Sequence, residues 1–185
     1  MTVCKKAPGR IARHQVSNDI IWRTLSSAGI PAIKEPSGLS RQDGKRPDRL
    51  TLIPWQGGKP LVWDVTVVNT LAQSYVDRAA TGVGAVAEMA AEQKAKKYHN
   101  LSSDHIFQPI AIENLGAFSS SSLEFLGELG RRLGIASLEK SERPAFFSSA
   151  CLLQYNDLIR CFWTMASLMT FRTSSHFSCF YPFCF

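Results

Sequence analysis

The amino-acid sequence predicts an α/β domain whose elements follow the order α-β-β-β-α-β-α-α. Three observations predict this class: apolar residues at helical spacing over 14–28, two strand-like runs around a Gly57-Gly58 turn, and an alanine-rich helical segment over 84–100. The 185 residues are enough for one domain with its own core. The composition, 45% apolar and 19% charged, excludes a disordered chain. The sequence contains no run of about 20 apolar residues, so no membrane span is predicted.

The first third of the chain predicts a helix, a short strand and a loop. Apolar residues recur at helical spacing over 14–28, and Gly29 followed by Pro31 ends this helix. Residues 32–35 are a candidate strand. Residues 36–46 form a basic, turn-rich loop with two glycines.

Two further strands contain the most informative residue of the sequence. Residues 49–55 read as a strand, residues 56–59 suit a hairpin turn, and residues 61–69 are β-branched and almost wholly apolar. The second strand is therefore expected to be buried on both faces. Asp64 is its one charged residue, and an unpaired carboxylate buried there would cost several kcal/mol. Asp64 consequently needs a metal ion, a lysine or a rich set of hydrogen bonds.

A helix and a strand follow. Residues 84–100 are rich in Ala, Glu, Gln and Lys, which is the composition of a stable helix. Lys94, Lys97 and Tyr98 share one face of it, at spacings i, i+3 and i+4. Residues 105–113 return to a strand pattern.

The C-terminal part of the chain predicts two more helices and a tail. Residues 119–133 are an amphipathic helix with serine N-caps at its start and Gly134 as its end. Residues 147–162 are expected to form a final helix. Residues 163–185 are rich in aromatic residues and contain no acid, and we expect them to lie outside the fold; a peripheral strand or a docking segment is the alternative.

Positive charge is concentrated near the start of the chain. The first 49 residues hold ten basic and four acidic residues, whereas the remaining 136 hold eleven of each. A basic third that leads into Asp48 suits a polyanion whose phosphates are drawn towards a metal site. The alternative is a solvated basic face without a partner.

Two aspartates have the chemistry for phosphodiester hydrolysis. This reaction requires a water nucleophile, positive charge near the pentacovalent phosphorus and help for the leaving oxygen, and a divalent metal on carboxylates supplies all three. The tight hairpin keeps Asp48 and Asp64 on adjacent strands, where both can converge on one ion. A lysine near that ion can orient the water or stabilise the developing charge.

Three short motifs occur in order. Arg46-Pro47-Asp48 is followed sixteen positions on by Asp64-Val65-Thr66, and then by Lys94-Ala95-Lys96-Lys97-Tyr98 on a helix. This pattern resembles the PD-(D/E)XK superfamily of restriction-endonuclease-like nucleases. The predicted element order also matches the αβββαβ core of that superfamily, a mixed central sheet flanked by helices, here with extra C-terminal helices.

The chain is more closely similar to the endonuclease domain at the C-terminal end of site-specific non-LTR retrotransposon polyproteins. That likeness covers about residues 4–160. Besides the three motifs, it is carried by Arg13-His14, Asn18-Asp19 and Lys34-Glu35-Pro36.

The resemblance implies that Asp48 and Asp64 hold Mg²⁺, or Mn²⁺ in its place, with the Val65 carbonyl as a further ligand. Simpler interpretations exist for both acids. Asp48 after a proline could be a plain turn residue. Asp64 could be a core acid satisfied by Lys59 or Arg46.

The catalytic lysine departs from the pattern of the superfamily. Many members carry a lysine two positions after the second acid, where this chain has Thr66. Variants of the fold move that lysine to the next helix, so Lys94 and Lys97 are the candidates, unless they only form a solvated helix face. Glu35 is a candidate accessory acid, and Tyr98 completes the predicted catalytic set.

DNA is the expected partner, with RNA as the alternative. The candidate nucleic-acid contacts are Lys45, Arg46, Arg13, His14 and Asn18. His14 and Asn18, one helical turn apart, could instead share a metal, cap the helix or lie on its surface.

The domain prediction is a basic remnant over 1–12, the nuclease-like domain over 13–160 and the tail over 163–185. Cys4 resembles the last cysteine of a zinc-knuckle-like module, but the other ligands are missing, so no zinc site is expected. The five cysteines lack CxxC spacing, and no secretory segment follows Met1, which predicts free thiols inside the cell, in the nucleus for a functional protein.

Three hypotheses for function follow. The first is a Mg²⁺-dependent DNA endonuclease that nicks one strand. The second is a transposon-derived fragment that binds nucleic acid or another partner without cutting. The third is a translated remnant with no function.

Overall fold

The computed structural model describes residues 8–39 and 44–140. Its elements in chain order are α1 Pro8–Ser27, β1 Ala32–Lys34, β2 Arg49–Gln56, β3 Lys59–Val68, α2 Val76–Ala79, α3 Ala85–Lys97, β4 Ile106–Glu113 and α4 Ser120–Lys140, with a 3-10 helix His99–Ser103 between α3 and β4.

Four strands form one mixed sheet in the order β1-β2-β3-β4. β1 pairs with β2 and β2 pairs with β3 in antiparallel orientation, whereas β4 runs parallel to β3, with Asp64 opposite Pro109. Parallel neighbours require a crossover connection, and here it passes through α2 and α3. The predicted α/β class, a mixed sheet flanked by helices, is confirmed.

Different helices cover the two faces of β3. Trp63 and Val65 belong to the main apolar core together with buried residues of α1 and α4. Val68 belongs to a second cluster with buried residues of α3. Because side chains alternate along a strand, Asp64 projects to the α3 side of the sheet. The predicted burial of this strand on both faces is confirmed, and it places a carboxylate directly beneath α3.

Glu113, at the end of β4, holds the start of α3 in place. The buried Glu113 carboxylate accepts hydrogen bonds from the N–H groups of Val86 and Ala87, at 3.0 and 3.3 Å. It thereby satisfies donors in the first turn and complements the positive end of the helix dipole. Gly84, just before the helix, has φ of +82°, and a Cβ there would lie 3.1 Å from the Phe118 carbonyl oxygen. These contacts fix the helix that carries the predicted lysines.

The start of α1 and the end of α4 depart furthest from the predicted helix boundaries. The first helix is already present at Pro8, ahead of the predicted start at residue 14, and a proline is tolerated near the start of a helix, where its missing N–H is not needed. The predicted end at Gly134 is wrong, since α4 continues to Lys140. A buried glycine inside a helix costs about 1 kcal/mol relative to alanine, which is too little to end a helix that packs on the sheet and carries the Glu128–Arg132 ion pair.

The predicted helix over 147–162 and the aromatic tail over 163–185 lie outside the described residues, as do residues 1–7 of the predicted basic remnant. Within 8–39 and 44–140, no helix combines the length and the apolar character needed to cross a bilayer.

Candidate metal centre

Backbone hydrogen bonds hold Asp48 between two strands. Its N–H donates to the Trp63 carbonyl on β3 at 3.1 Å, and its own carbonyl accepts from the Glu35 N–H at 2.8 Å, just after β1. The preceding Pro47 is buried. The Pro-Asp pair is therefore more than a surface turn, because the backbone of Asp48 is fixed to the sheet on both sides.

Three donors converge on one oxygen of the Asp48 carboxylate. Oδ2 accepts hydrogen bonds from the Val65 amide at 2.8 Å and from Asn18 Nδ2 at 2.9 Å, and it lies 3.1 Å from His14 Nε2. Burial alone would raise the pKa of Asp48, but hydrogen bonds from His14, Asn18 and the Val65 amide outweigh it and hold that pKa below its ordinary value. Asp48 is thus kept as an anion in a half-buried place.

Asp64 is the buried member of the pair of acids. Its residue is only 4% exposed, and Lys94 Nζ lies 2.5 Å from its Oδ1. Burial raises the pKa of Asp64, with a further contribution from the Asp48 charge, while the Lys94 charge and a hydrogen bond from Tyr98 oppose the rise. The predicted need for a lysine or a rich hydrogen-bond set is met by Lys94 and Tyr98, at the C-terminal end of α3.

His14 completes a cluster of three side chains from three elements. One ligand atom each of His14, Asp48 and Asp64 can be chosen so that all lie within 4.8 Å of one another. The hydrogen bond to Asp48 raises the pKa of His14, although burial opposes the rise. The two acids are thereby balanced by His14 on one side and Lys94 on the other.

The donor set fits a divalent cation. Carboxylate oxygens suit Mg²⁺ and Mn²⁺, and an imidazole nitrogen is a good ligand for Mn²⁺ and later transition metals. His14 Nε2 and Asp48 Oδ2 lie 3.1 Å apart as hydrogen-bond partners. To bind one ion, His14 would present this nitrogen without its proton, and Asp48 would use the oxygen that does not accept the three hydrogen bonds. Asp48, Asp64 and His14 are thus the residues that could hold a metal.

The two candidate lysines lie in different environments. Lys94 is half-buried against Asp64, whereas Lys97 is exposed one turn further along α3. Tyr98 is 4% exposed, stacks on Phe107 and hydrogen-bonds to Asp64. Thr66, two residues after Asp64 on β3, is half-buried.

Glu35 and Val65 reach the cluster through their backbones. Glu35 adopts a positive φ of 46° and binds the Asp48 carbonyl through its N–H, while its exposed carboxylate lies 3.9 Å from Lys34. Val65 donates its amide hydrogen to Asp48. Neither residue belongs to the three-residue cluster, so an accessory acid at Glu35 and a carbonyl ligand at Val65 stay predictions.

The predicted nucleic-acid contacts divide into exposed and buried residues. Lys45 and Arg46 are exposed in the segment before Asp48. Arg13 is half-buried, and its Nε has no hydrogen-bond partner among the residues that the structure describes. Asn18 differs from the prediction: it is 6% exposed, and both ends of its amide bind protein groups, so it lies within the site instead of on a binding surface.

The sequence interpretation missed two residues next to the cluster. Trp63 is fully buried and donates its indole N–H to Asn18 Oδ1 at 3.1 Å. Arg49 pairs with Asp19 at 3.1 Å and lies over the ring of Trp22, beside a polar cleft of about 380 Å³ that adjoins Asp48. A buried indole N–H usually requires an acceptor, and this was the one available signal for Trp63.

Comparison with known proteins adds no family to this geometry. A scan against models of protein families finds no match for the chain, and a search of curated proteins finds no significantly similar sequence. A function for the chain therefore has to be inferred from the cluster of His14, Asp48 and Asp64 and from the fold around it.

Proposed function

We propose that the chain is a metal-dependent DNA endonuclease of the restriction-endonuclease-like type, with Mg²⁺ or Mn²⁺ as its cofactor. One observation carries the proposal: Asp48, just before β2, and Asp64, within β3, meet His14 within 4.8 Å, with the Lys94 ammonium on Asp64. Two carboxylates with an adjacent lysine are what metal-assisted phosphodiester hydrolysis requires.

The topology supports the same proposal. Apart from the short α2, the element order is α1-β1-β2-β3-α3-β4, with three antiparallel strands and a fourth parallel to the third, and this order supports the αβββαβ core that the sequence resemblance implies. The positions of Asp48, just before β2, and Asp64, within β3, support the same interpretation. A likeness to the endonuclease domain of site-specific retrotransposons would make the product a nick with a free 3′-hydroxyl.

Each residue of the site would have its own role in hydrolysis. A divalent cation bound there would lower the pKa of a coordinated water and offset the charge of the phosphate. Asp48 presents a carboxylate held by its own hydrogen bonds, and Asp64 presents one held by Lys94. A phosphate oxygen bound to the cation beside Asp64 would come within reach of the Lys94 ammonium, which can stabilise negative charge as it develops.

Exposed cations lie close in sequence to Asp48 and to Lys94. Lys45 and Arg46 precede Asp48, and Lys97 follows Lys94 by one turn of α3. Contacts to phosphates on both sides of the scissile bond would hold the backbone in register without reading its sequence. The affinity for DNA should therefore fall steeply as the salt concentration rises.

The test is nicking of a supercoiled plasmid with Mg²⁺ or Mn²⁺. Asp48→Asn and Asp64→Asn are nearly isosteric and should each abolish detectable nicking. Asp77→Asn, an exposed acid on the short α2, is the matched control and should cut like the wild type. Equal nicking by all four proteins would overturn the catalytic assignment. Salt-sensitive DNA binding without any nicking would instead favour a fragment that binds without cutting.

A further inference from the structure

Asn18 joins the metal cluster to the core of the sheet. Its amide oxygen accepts the indole N–H of Trp63 at 3.1 Å, and its amide nitrogen donates to Asp48 Oδ2 at 2.9 Å. Asn18 is 6% exposed and Trp63 is 0% exposed. The hydrogen bond from Trp63 to Asn18 is therefore buried, and the one from Asn18 to Asp48 is partly buried.

The two ends of this amide cannot be exchanged. An indole N–H can only donate, so Asn18 has to turn its oxygen towards Trp63. Its NH₂ group then faces Asp48, and that group can also only donate. Since Trp63 is held in the main core beneath α1 and α4, the packing of the sheet fixes where the Asn18 donor points and hence where Asp48 Oδ2 lies.

We propose that Asn18 is a positioning residue for the metal site, oriented by Trp63, which holds the Asp48 carboxylate in the orientation that a divalent cation requires. This inference rests on the proposed function. Asn18 is not one of the three side chains that can meet at a single ion, so it acts through Asp48. A ligand that is already held in position loses less conformational entropy when the cation binds, and this raises the affinity.

Calorimetric titration of the full, metal-free chain with Mn²⁺ tests this role. Asn18→Leu keeps the volume of the side chain but removes both hydrogen bonds, and it should weaken Mn²⁺ binding about ten- to a hundredfold, the usual loss for a hydrogen bond to a charged group. Trp63→Phe keeps an aromatic ring and removes only the donor that orients the amide. It should weaken binding by a smaller factor.

Asn114→Leu is the matched control. Asn114 also accepts hydrogen bonds with its side chain, from the amide and the hydroxyl of Thr70. It lies just after the C-terminal end of β4 and is not part of the three-residue cluster. Its replacement should lower the thermal midpoint and leave Mn²⁺ affinity unchanged. Equal losses of affinity in Asn18→Leu and Asn114→Leu would show a general effect of stability and overturn the inference.

A spectroscopic signature separates positioning from packing. The indole N–H signal of Trp63, assigned by its disappearance in Trp63→Phe, should shift when Mg²⁺ is added to the wild type and stay in place in Asn18→Leu. Unchanged Mn²⁺ affinity in folded Asn18→Leu would make Asn18 purely structural, although the proposed metal site would stand. If Asn18→Leu does not fold, unchanged affinity in Trp63→Phe overturns the inference. Absence of Mn²⁺ binding by the wild type would overturn the proposed site and the inference with it.

Discussion

The Lys94 ammonium lies 2.5 Å from Asp64 Oδ1, so α3 supplies the basic partner of Asp64 although the neighbouring same-face position on β3 is occupied by Thr66. Asp64 and Thr66 point to the same face of β3, because they are two residues apart on a strand. The helix α3 packs on that face. A lysine projecting down from α3 therefore reaches the carboxylate that a lysine at position 66 would approach along the strand.

Lys94 and Lys97 should have separable effects. Lys94→Met is expected to lower the nicking rate by about 10²–10³-fold, the usual loss for a removed electrostatic stabiliser, with little change in DNA affinity. Lys97→Met should mainly weaken DNA binding and reduce the slope of log affinity against log salt by about 1. Lys96→Met, on an exposed part of the same helix, serves as the control. Normal cutting by Lys94→Met would remove that lysine from the mechanism.

The His14–Asp48 pair should make the stability of the metal-free protein depend on pH. The pKa of His14 is raised in the folded state, so its contribution is fully present below the unfolded pKa of 6.5 and is lost as pH rises through the folded pKa. The pair is partly exposed, so the effect should be on the order of 0.5 kcal/mol. Urea unfolding in EDTA from pH 5.5 to 8.5, at about half-unit steps near the His pKa, should show a decline with pH that His14→Asn lacks. Parallel curves for the two proteins would contradict this.

Asp64→Asn should stabilise the metal-free protein at neutral pH. The pKa of Asp64 is raised in the folded state, so its charged form opposes folding, and stability falls as pH rises from the unfolded pKa to the folded one. Removing that charge should raise the free energy of unfolding by on the order of 1 kcal/mol, because a buried carboxylate kept for function costs stability. Chemical denaturation in EDTA at pH 7 measures it, and Asp77→Asn should show no change. A destabilised Asp64→Asn would mean that the Lys94 ion pair outweighs the cost of burial.

Binding of a cation should make the wild type more stable than Asp64→Asn. At about 100 times its dissociation constant, Mn²⁺ is expected to stabilise the wild type by about 2.7 kcal/mol, because it binds the folded state alone. Asp64→Asn and Asp48→Asn should gain little. Thermal unfolding with increasing Mn²⁺ measures the effect, and Ca²⁺ serves as a comparison cation that prefers more oxygen ligands at longer distances. A midpoint that rises equally in all three proteins would indicate that the ion binds elsewhere.

Local signals in the sequence were enough for the elements and for one requirement of the site. The spacing of apolar residues, the Gly57-Gly58 turn and the apolar run around Asp64 gave the four strands and the helices α1, α3 and α4, but not the short α2. The predicted stop at Gly134 was wrong because tertiary packing overrides a local stop signal. A lone carboxylate in a strand buried on both faces had to have a partner, and only the identity of that partner was left open.

Tertiary structure decided which side chains meet. The choice of Lys94 over Lys97, the inclusion of His14 and the turn of Asn18 towards Trp63 all depend on how α1 and α3 lie against β3. These are contacts between residues 30 to 50 positions apart in sequence. Helical periodicity tells which residues share a face of a helix, but the rotation of that helix against the sheet follows from side-chain packing across the whole core. The sequence therefore determined the need for a charged partner at Asp64, and the packing of the helices determined the geometry of the centre.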